Sequence, residues 1–128
     1  HTILTQIQHE LFILGADLAT PVDSKNVNIQ RITAAHVQQL ESRIDDLEER
    51  LQPIRYFILP GGTATASRLH ICRTVCRRTE RLIVHLASVE EINDFDLQYI
   101  NRLSDLLFVL ARYANHLDGR PDVRWKQG

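Results

Sequence analysis

Nothing in this chain approaches the roughly 18 uninterrupted apolar residues that a membrane-spanning helix requires, and no basic-then-apolar leader opens it. Neither sign of charge prevails: 15 Lys and Arg face 16 Asp and Glu, leaving a net charge of −1. That balance gives no reason to expect nucleic acid or an anionic membrane as a partner. Cysteine is scarce, and the two present, Cys72 and Cys76, stand four residues apart on what reads as one helical turn. Helical neighbours at that spacing seldom reach disulfide geometry, so free thiols, a reducing compartment and a cytoplasmic location are expected. Period-two alternation is missing as well, which argues against a sheet, and there is no internal repeat or low-complexity tract. The chain begins at His1, without an initiator methionine, and enters a helical pattern almost at once. A further segment is therefore expected to precede it in the native protein.

What is present is a chain of 128 residues, 44% hydrophobic and 24% charged, as befits a single globular domain spanning 1–128. Four segments carry helical periodicity. In the first, Ile3, Ile7, Leu11, Leu14 and Leu18 recur at three- and four-residue steps until Pro21 stops the helix. Val22 to Gln30 is polar and aperiodic, a loop. The second helix is predicted from about Thr33 to Leu51, with Val37, Leu40, Ile44, Leu47 and Leu51 inward and a charged outer face from Glu41 to Arg50. Pro53 closes it. The apolar run Tyr56-Phe57-Ile58-Leu59 leads into Pro60-Gly61-Gly62, which breaks any helix, and Thr63 can cap the third helix. That helix places Leu69, Cys72, Cys76, Thr79, Ile83 and Leu86 inward. Asn93 or Asp94 can cap the fourth, whose apolar face is Leu97, Ile100, Leu103, Leu107, Leu110, Ala114 and Leu117. In the tail only Val123 and Trp125 offer an anchor. The fold expected is an all-α antiparallel helix bundle.

The third helix holds an anomaly. Arg73, Arg77 and Arg81 lie at i, i+4 and i+8 on one stripe, flanked by Arg78, with Glu80 between Arg77 and Arg81 in projection. Like charges stacked this way cost a few tenths of a kcal/mol per pair, so either neighbouring carboxylates or a polyanionic ligand must compensate. On periodicity alone a solvated basic face with an internal Arg–Glu pair would serve. On the fourth helix Asn101, Asp105, Phe108 and Arg112 form a second stripe beside the apolar face. Asp105 near an arginine of the third helix would make an ordinary ion pair; Asn101 has no such simple explanation.

Other chemistries are less well supported. Cys72, Cys76 and His70 share a helix and could ligate a metal, but the fourth ligand is undefined and both cysteines are placed on the apolar face. His9, His36, His85 and His116 are scattered, without the Glu-x-x-His pairs of a di-metal bundle. Ser104 and Asp105 adjoin one another and no strand-turn-helix elbow exists, so a Ser-His-Asp hydrolase is unsupported. No G-x-x-x-x-G-K-[ST] loop is present.

Several blocks in order carry a resemblance. Phe57-Ile58-Leu59-Pro60-Gly61-Gly62-Thr63, then Leu69-His70, then Arg73-Thr74-Val75-Cys76-Arg77-Arg78-Thr79-Glu80-Arg81, then Tyr99-Ile100-Asn101-Arg102-Leu103-Ser104-Asp105-Leu106-Leu107-Phe108 resemble the signature blocks of PduO-type ATP:cob(I)alamin adenosyltransferases. Gln8 to Leu18 is similar to that family's first core helix, and the similarity runs from about Ile3 to Trp125. The resemblance implies a five-helix, ferritin-like bundle that transfers the 5′-deoxyadenosyl group of ATP to cob(I)alamin and releases triphosphate. It implies that Arg73 and Arg77 approach ATP, that Asn101 contacts the nucleotide, and that Glu80 orients the arginines. Phe57 would lie against the lower face of the corrin, excluding an axial ligand so that Co(I) is easier to reach. Mg²⁺, ATP and cobalamin are the implied small molecules, and a homotrimer with ATP between subunits the implied assembly.

One feature departs from the family: its N-terminal nucleotide loop, T-x-x-G-D-x-G-x-T with a lysine beyond, has no counterpart here. The alternatives left open are a homologue that carries ATP or cobalamin without turnover, and an inactive helical scaffold.

Overall fold

A computed structural model describes residues 2–24, 29–54 and 57–125. Residues 25–28 of the expected Val22–Gln30 loop, Tyr56 of the apolar run and the last three residues of the tail lie outside the described residues.

Four helices form: α1 (Thr2–Ala19), α2 (Ala34–Glu48), α3 (Ala64–Val89) and α4 (Asp94–Leu117). Their caps follow from the sequence. Thr63 Oγ1 accepts from Ala66 N at 3.0 Å and Asn93 Oδ1 from Phe95 N at 3.1 Å, satisfying donors that the first helical turn leaves orphaned. Thr33 caps α2, its backbone N–H donating to His36 Nδ1 at 2.9 Å. Helix α2 stops three residues short of Leu51, because Pro53 disfavours helix at the preceding residue. The last turn tightens instead into i→i+3 bonds from Arg50 N to Leu47 O and Leu51 N to Glu48 O.

Side-chain contacts give the direction of each helix. Glu10 meets Tyr99 while Asp17 meets Asn93, so α1 runs antiparallel to α4. Glu80 meets Asn101 while Thr63 meets Asn115, so α3 does too, as the short 90–93 connection requires. Ile32 meets Asn93 while Arg50 meets Tyr113, so α2 runs parallel to α4. The bundle is up-down-up-down with α4 central, packed along α3 and α2 and more lightly on α1. Its core gathers Ile7 and Leu14 from α1, Leu40 and Ile44 from α2, Leu69, Cys76 and Ile83 from α3, and Tyr99, Leu103 and Leu106 from α4.

Two faces are rotated from the expected ones. On α1, Leu11 is exposed and the buried side includes Glu10 and Asp17. Each carboxylate has partners that draw it inward: Tyr99 Oη donates to Glu10 at 2.9 Å, and Asp17 accepts from Arg31, Ile32 N and Asn93. On α3, Cys72 is exposed while His70 is buried and Arg73 half-buried, because Phe108 of α4 packs on that side. Leu117, the last residue of α4, is exposed as well.

Asp96 is fully buried beside Asp17. Burial, then the hydrogen bond and charge of Asp17, raises the Asp96 carboxyl to about 8. As a carboxylate it would have no donor among the described residues; as an acid it donates to Asp17. Burial alone would raise Asp17 too, but hydrogen bonds from Asp96, Asn93, Arg31 and Ile32 outweigh it and lower its pKa.

Candidate functional site

Helix α3 continues unbroken for 26 residues, so the arginine spacing of the sequence becomes a physical stripe. Arg73 is the innermost member, its guanidinium 4.9 Å from the Phe108 ring centroid, a cation–π contact. Burial, and after it the charge of Arg77, lowers the Arg73 pKa. Arg77, Arg78 and Arg81 are exposed and make no ion pair among the described residues. No carboxylate among the described residues lies within ion-pair distance of them, although Glu80 lines a depression with Arg77 and Arg81.

Asn101 faces this stripe from α4. Its Nδ2 donates to Glu80 Oε2 at 3.0 Å, tying the two helices together. Glu80, expected to orient the arginines, accepts from Asn101 and lines a depression with Arg77 and Arg81. A carboxylate can only accept, so it fixes the amide with nitrogen inward and leaves Oδ1 as an acceptor. Asp105 pairs with Arg102 of its own helix rather than with an α3 arginine, since i,i+3 neighbours share a face. Glu80 lines two adjoining depressions of about 300 Å³ each, one with Arg77, Arg81 and Val84, the other with Glu41, Gln98 and Asn101. Arg77, Glu80 and Asn101 thus stand together along one surface of α3 and α4, with Arg73 one turn nearer the N-terminus of α3.

Phe57 lies outside that cluster. Residues 57–59 pair antiparallel with 123–125: Leu59 N donates to Val123 O at 2.6 Å, and Trp125 N to Phe57 O at 2.8 Å. The Phe57 side chain is 77% exposed, meeting the Trp125 ring edge-on at 5.9 Å. The Pro-Gly-Gly turn that follows is clamped by Asn115, which is buried. Its Oδ1 accepts from Thr63 N at 2.8 Å and its Nδ2 donates to Gly61 O at 3.1 Å. Gly62 has φ +111°, and a Cβ there would fall 2.3 Å from Asn115 Oδ1. Only glycine fits. At about 1.5 Å per residue, Arg73 and Arg77 stand roughly 14 and 20 Å along α3 from the end that Phe57 adjoins.

The sequence reading missed Asn115 and assigned Trp125 no site role. An asparagine continuing the four-residue steps Leu103, Leu107 and Ala111 of the apolar face was the available signal. His70, weighed from the sequence only as a metal ligand beside the cysteines, is buried with both ring nitrogens unpartnered among the described residues and its ring 5.9 Å from Phe108. Burial, then Arg73, lowers the His70 pKa against an opposing pull from Asp122. Cys72 is exposed while Cys76 and His70 are buried, so the three do not converge on a metal.

The family model for cobalamin adenosyltransferase matches residues 1–114. A cobalamin adenosyltransferase of Cupriavidus metallidurans is 45% identical over 124 residues, which is 97% of this chain and 64% of that protein. Two solved structures of a PduO-type adenosyltransferase from Lactobacillus reuteri also match. An arginine-to-lysine variant complexed with ATP has TM-score 0.89 and 44% identity over 96% of this chain and 68% of its own. A phenylalanine-to-histidine variant complexed with cobalamin and ATP has TM-score 0.92 and 43% identity over 98% and 68%. The chain thus spans slightly under two thirds of the curated relative. No helix among the described residues is long and apolar enough to cross a membrane.

Proposed function

Because this chain belongs to the cobalamin adenosyltransferase family, we propose that it transfers the 5′-deoxyadenosyl group of ATP to cob(I)alamin. The cobalt nucleophile attacks C5′, the C5′–O bond breaks, and triphosphate leaves with the bonding electrons. The observation that carries this reading is the α3 arginine stripe, free of ion pairs among the described residues and set beside an asparagine whose amide is oriented by Glu80.

Arg73 and Arg77 grip the triphosphate, offsetting charge on the leaving group as the C5′–O bond breaks. Asn101 Oδ1 accepts from the nucleotide, and Glu80 acts by holding Asn101. Phe57 presents its exposed ring to the lower face of the corrin and excludes an axial ligand. The relatives support both assignments. The arginine and the phenylalanine altered in the two Lactobacillus structures lie twenty positions apart in that protein. Phe57 and Arg77 have that spacing, and no other phenylalanine here has an arginine twenty residues on.

The described residues hold no cluster of three or more His, Cys, Asp or Glu side chains. Mg²⁺, held mainly by the phosphates of ATP, would add positive charge to the triphosphate beside Arg73 and Arg77. We assign residues 1–128 to one catalytic domain working in the cytoplasm as a homotrimer. Apolar Ile71, Val75 and Leu82 of α3 and Phe12 of α1 are exposed in the single chain and give such an assembly its contact surface.

Replacing Arg77 by Ala tests the nucleotide site. Losing a charge-assisted contact of about 1.5–3 kcal/mol weakens ATP binding roughly ten- to hundredfold and slows turnover. Calorimetric titration of the full-length protein with ATP measures it; unchanged affinity and rate would remove Arg77 from the site.

A further inference from the structure

Phe57 poses a physical problem. A ring 77% exposed has almost no packing of its own to fix its rotamer, yet a wedge beneath a macrocycle works only if it stays in place. What holds it is chain remote in sequence. The strap 123–125 closes a two-stranded clip on 57–59 through two backbone hydrogen bonds, Leu59 N to Val123 O and Trp125 N to Phe57 O. The clip is fixed to α4 at both ends. Arg112, itself buried, donates from Nε to Asp122 at the start of the strap and from Nη2 to Gln52 O ahead of the Phe57 segment. Asn115, one turn further along α4, clamps Gly61 and Thr63 behind it. The backbone under Phe57 is therefore set by the fold. The side chain is not: its ring meets that of Trp125, edge-on at 5.9 Å with planes 78° apart, an arrangement that aromatic pairs prefer.

We infer that Trp125 is a positioning residue for Phe57, holding its ring in the orientation in which it covers the lower face of the corrin. The inference rests on the cobalamin-facing role proposed for Phe57. Trp125 is half-exposed, and its ring meets that of Phe57.

The test compares Trp125→Ala, Trp125→Phe and Phe57→Ala in the full-length protein. Each is given ATP and cob(II)alamin, with electron paramagnetic resonance reading the four-coordinate cob(II)alamin signal. Trp125→Ala is expected to keep its helicity and its ATP affinity. It should lose most of the four-coordinate signal and, once a one-electron chemical reductant is added to take bound cob(II)alamin to cob(I)alamin, slow the transfer about ten- to hundredfold, the scale of an ångström-sized misplacement. Trp125→Phe restores an edge for Phe57 to meet and should recover most of both. Trp125→Ala with full signal and full rate would overturn the inference. So would a loss of ATP affinity parallel to the loss of signal, or no recovery in Trp125→Phe. Phe57→Ala separates the two claims: if it keeps the signal, the role of Phe57 itself falls. If it loses the signal while Trp125→Ala keeps it, only the positioning role falls.

Discussion

Asp96 is fully buried with no hydrogen-bond donor to stabilise its charge, and it titrates beside Asp17 and Arg31. Its folded pKa, about 8, lies above the ordinary 3.8. Below 3.8 its contribution to stability is complete; as pH rises toward 8 the unfolded chain releases the proton while the folded one retains it, so stability falls through that window. Asp17, lowered, acts in the opposite sense and loses its contribution as the solution turns more acid than 3.8. Asp96→Asn keeps a neutral donor to Asp17 without the titration. Urea unfolding should find the variant more stable than the parent at pH 8, with the difference shrinking toward pH 4. A parent whose stability is flat between those values would contradict the shared proton. A second residue-scale expectation concerns Gly62: alanine there meets both a positive φ and the Asn115 side chain. It should cost about 1–3 kcal/mol, read from the same unfolding experiment; an unchanged midpoint would count against the clamp.

Among the elements, α4 is the axis on which the others are registered, and Tyr99 at its core fixes α1. Burial and the Glu10 hydrogen bond both raise the Tyr99 pKa, so its hydroxyl stays a donor. Tyr99→Phe would leave Glu10 buried without that donor, costing about 1–3 kcal/mol in denaturant unfolding, and no change would mean that this hydrogen bond does not help to hold α1. The helices themselves were legible in the sequence because apolar spacing, caps at Thr63 and Asn93 and the breaks at Pro21 and Pro53 agree with one another. Which face each helix buries was less so. Periodicity follows apolar residues, but Glu10 and Asp17 are drawn inward by partners on other elements, and Leu11 is turned out. Those partners are 89 and 76 residues away in sequence, for Glu10–Tyr99 and Asp17–Asn93, beyond any local signal. The arginine stripe was readable because a helix preserves spacing. That Glu80 serves Asn101 was not, because that pairing depends on how α3 and α4 register. The clip around Phe57 was hidden for the same reason: it joins residues 57–59 to residues 123–125, segments remote in sequence.

For the whole molecule, the single chain leaves apolar residues on α3 and α1 in solvent and, beside them, a row of arginines without an ion pair among the described residues. Both features are reconciled if neighbouring subunits cover the first and ATP neutralises the second. Light scattering of the full-length protein at micromolar concentration should therefore give three times the subunit mass; a stable, active monomer would contradict an ATP site shared between subunits. The proposed reaction itself is tested most directly by supplying that protein with ATP and chemically reduced cob(I)alamin. Adenosylcobalamin is followed by its absorption and triphosphate is assayed in parallel. The expected result is catalytic formation of the two in equal amounts, slowed in Arg77→Ala. Binding of both substrates with no adenosylcobalamin formed would contradict the reading and leave a carrier in its place.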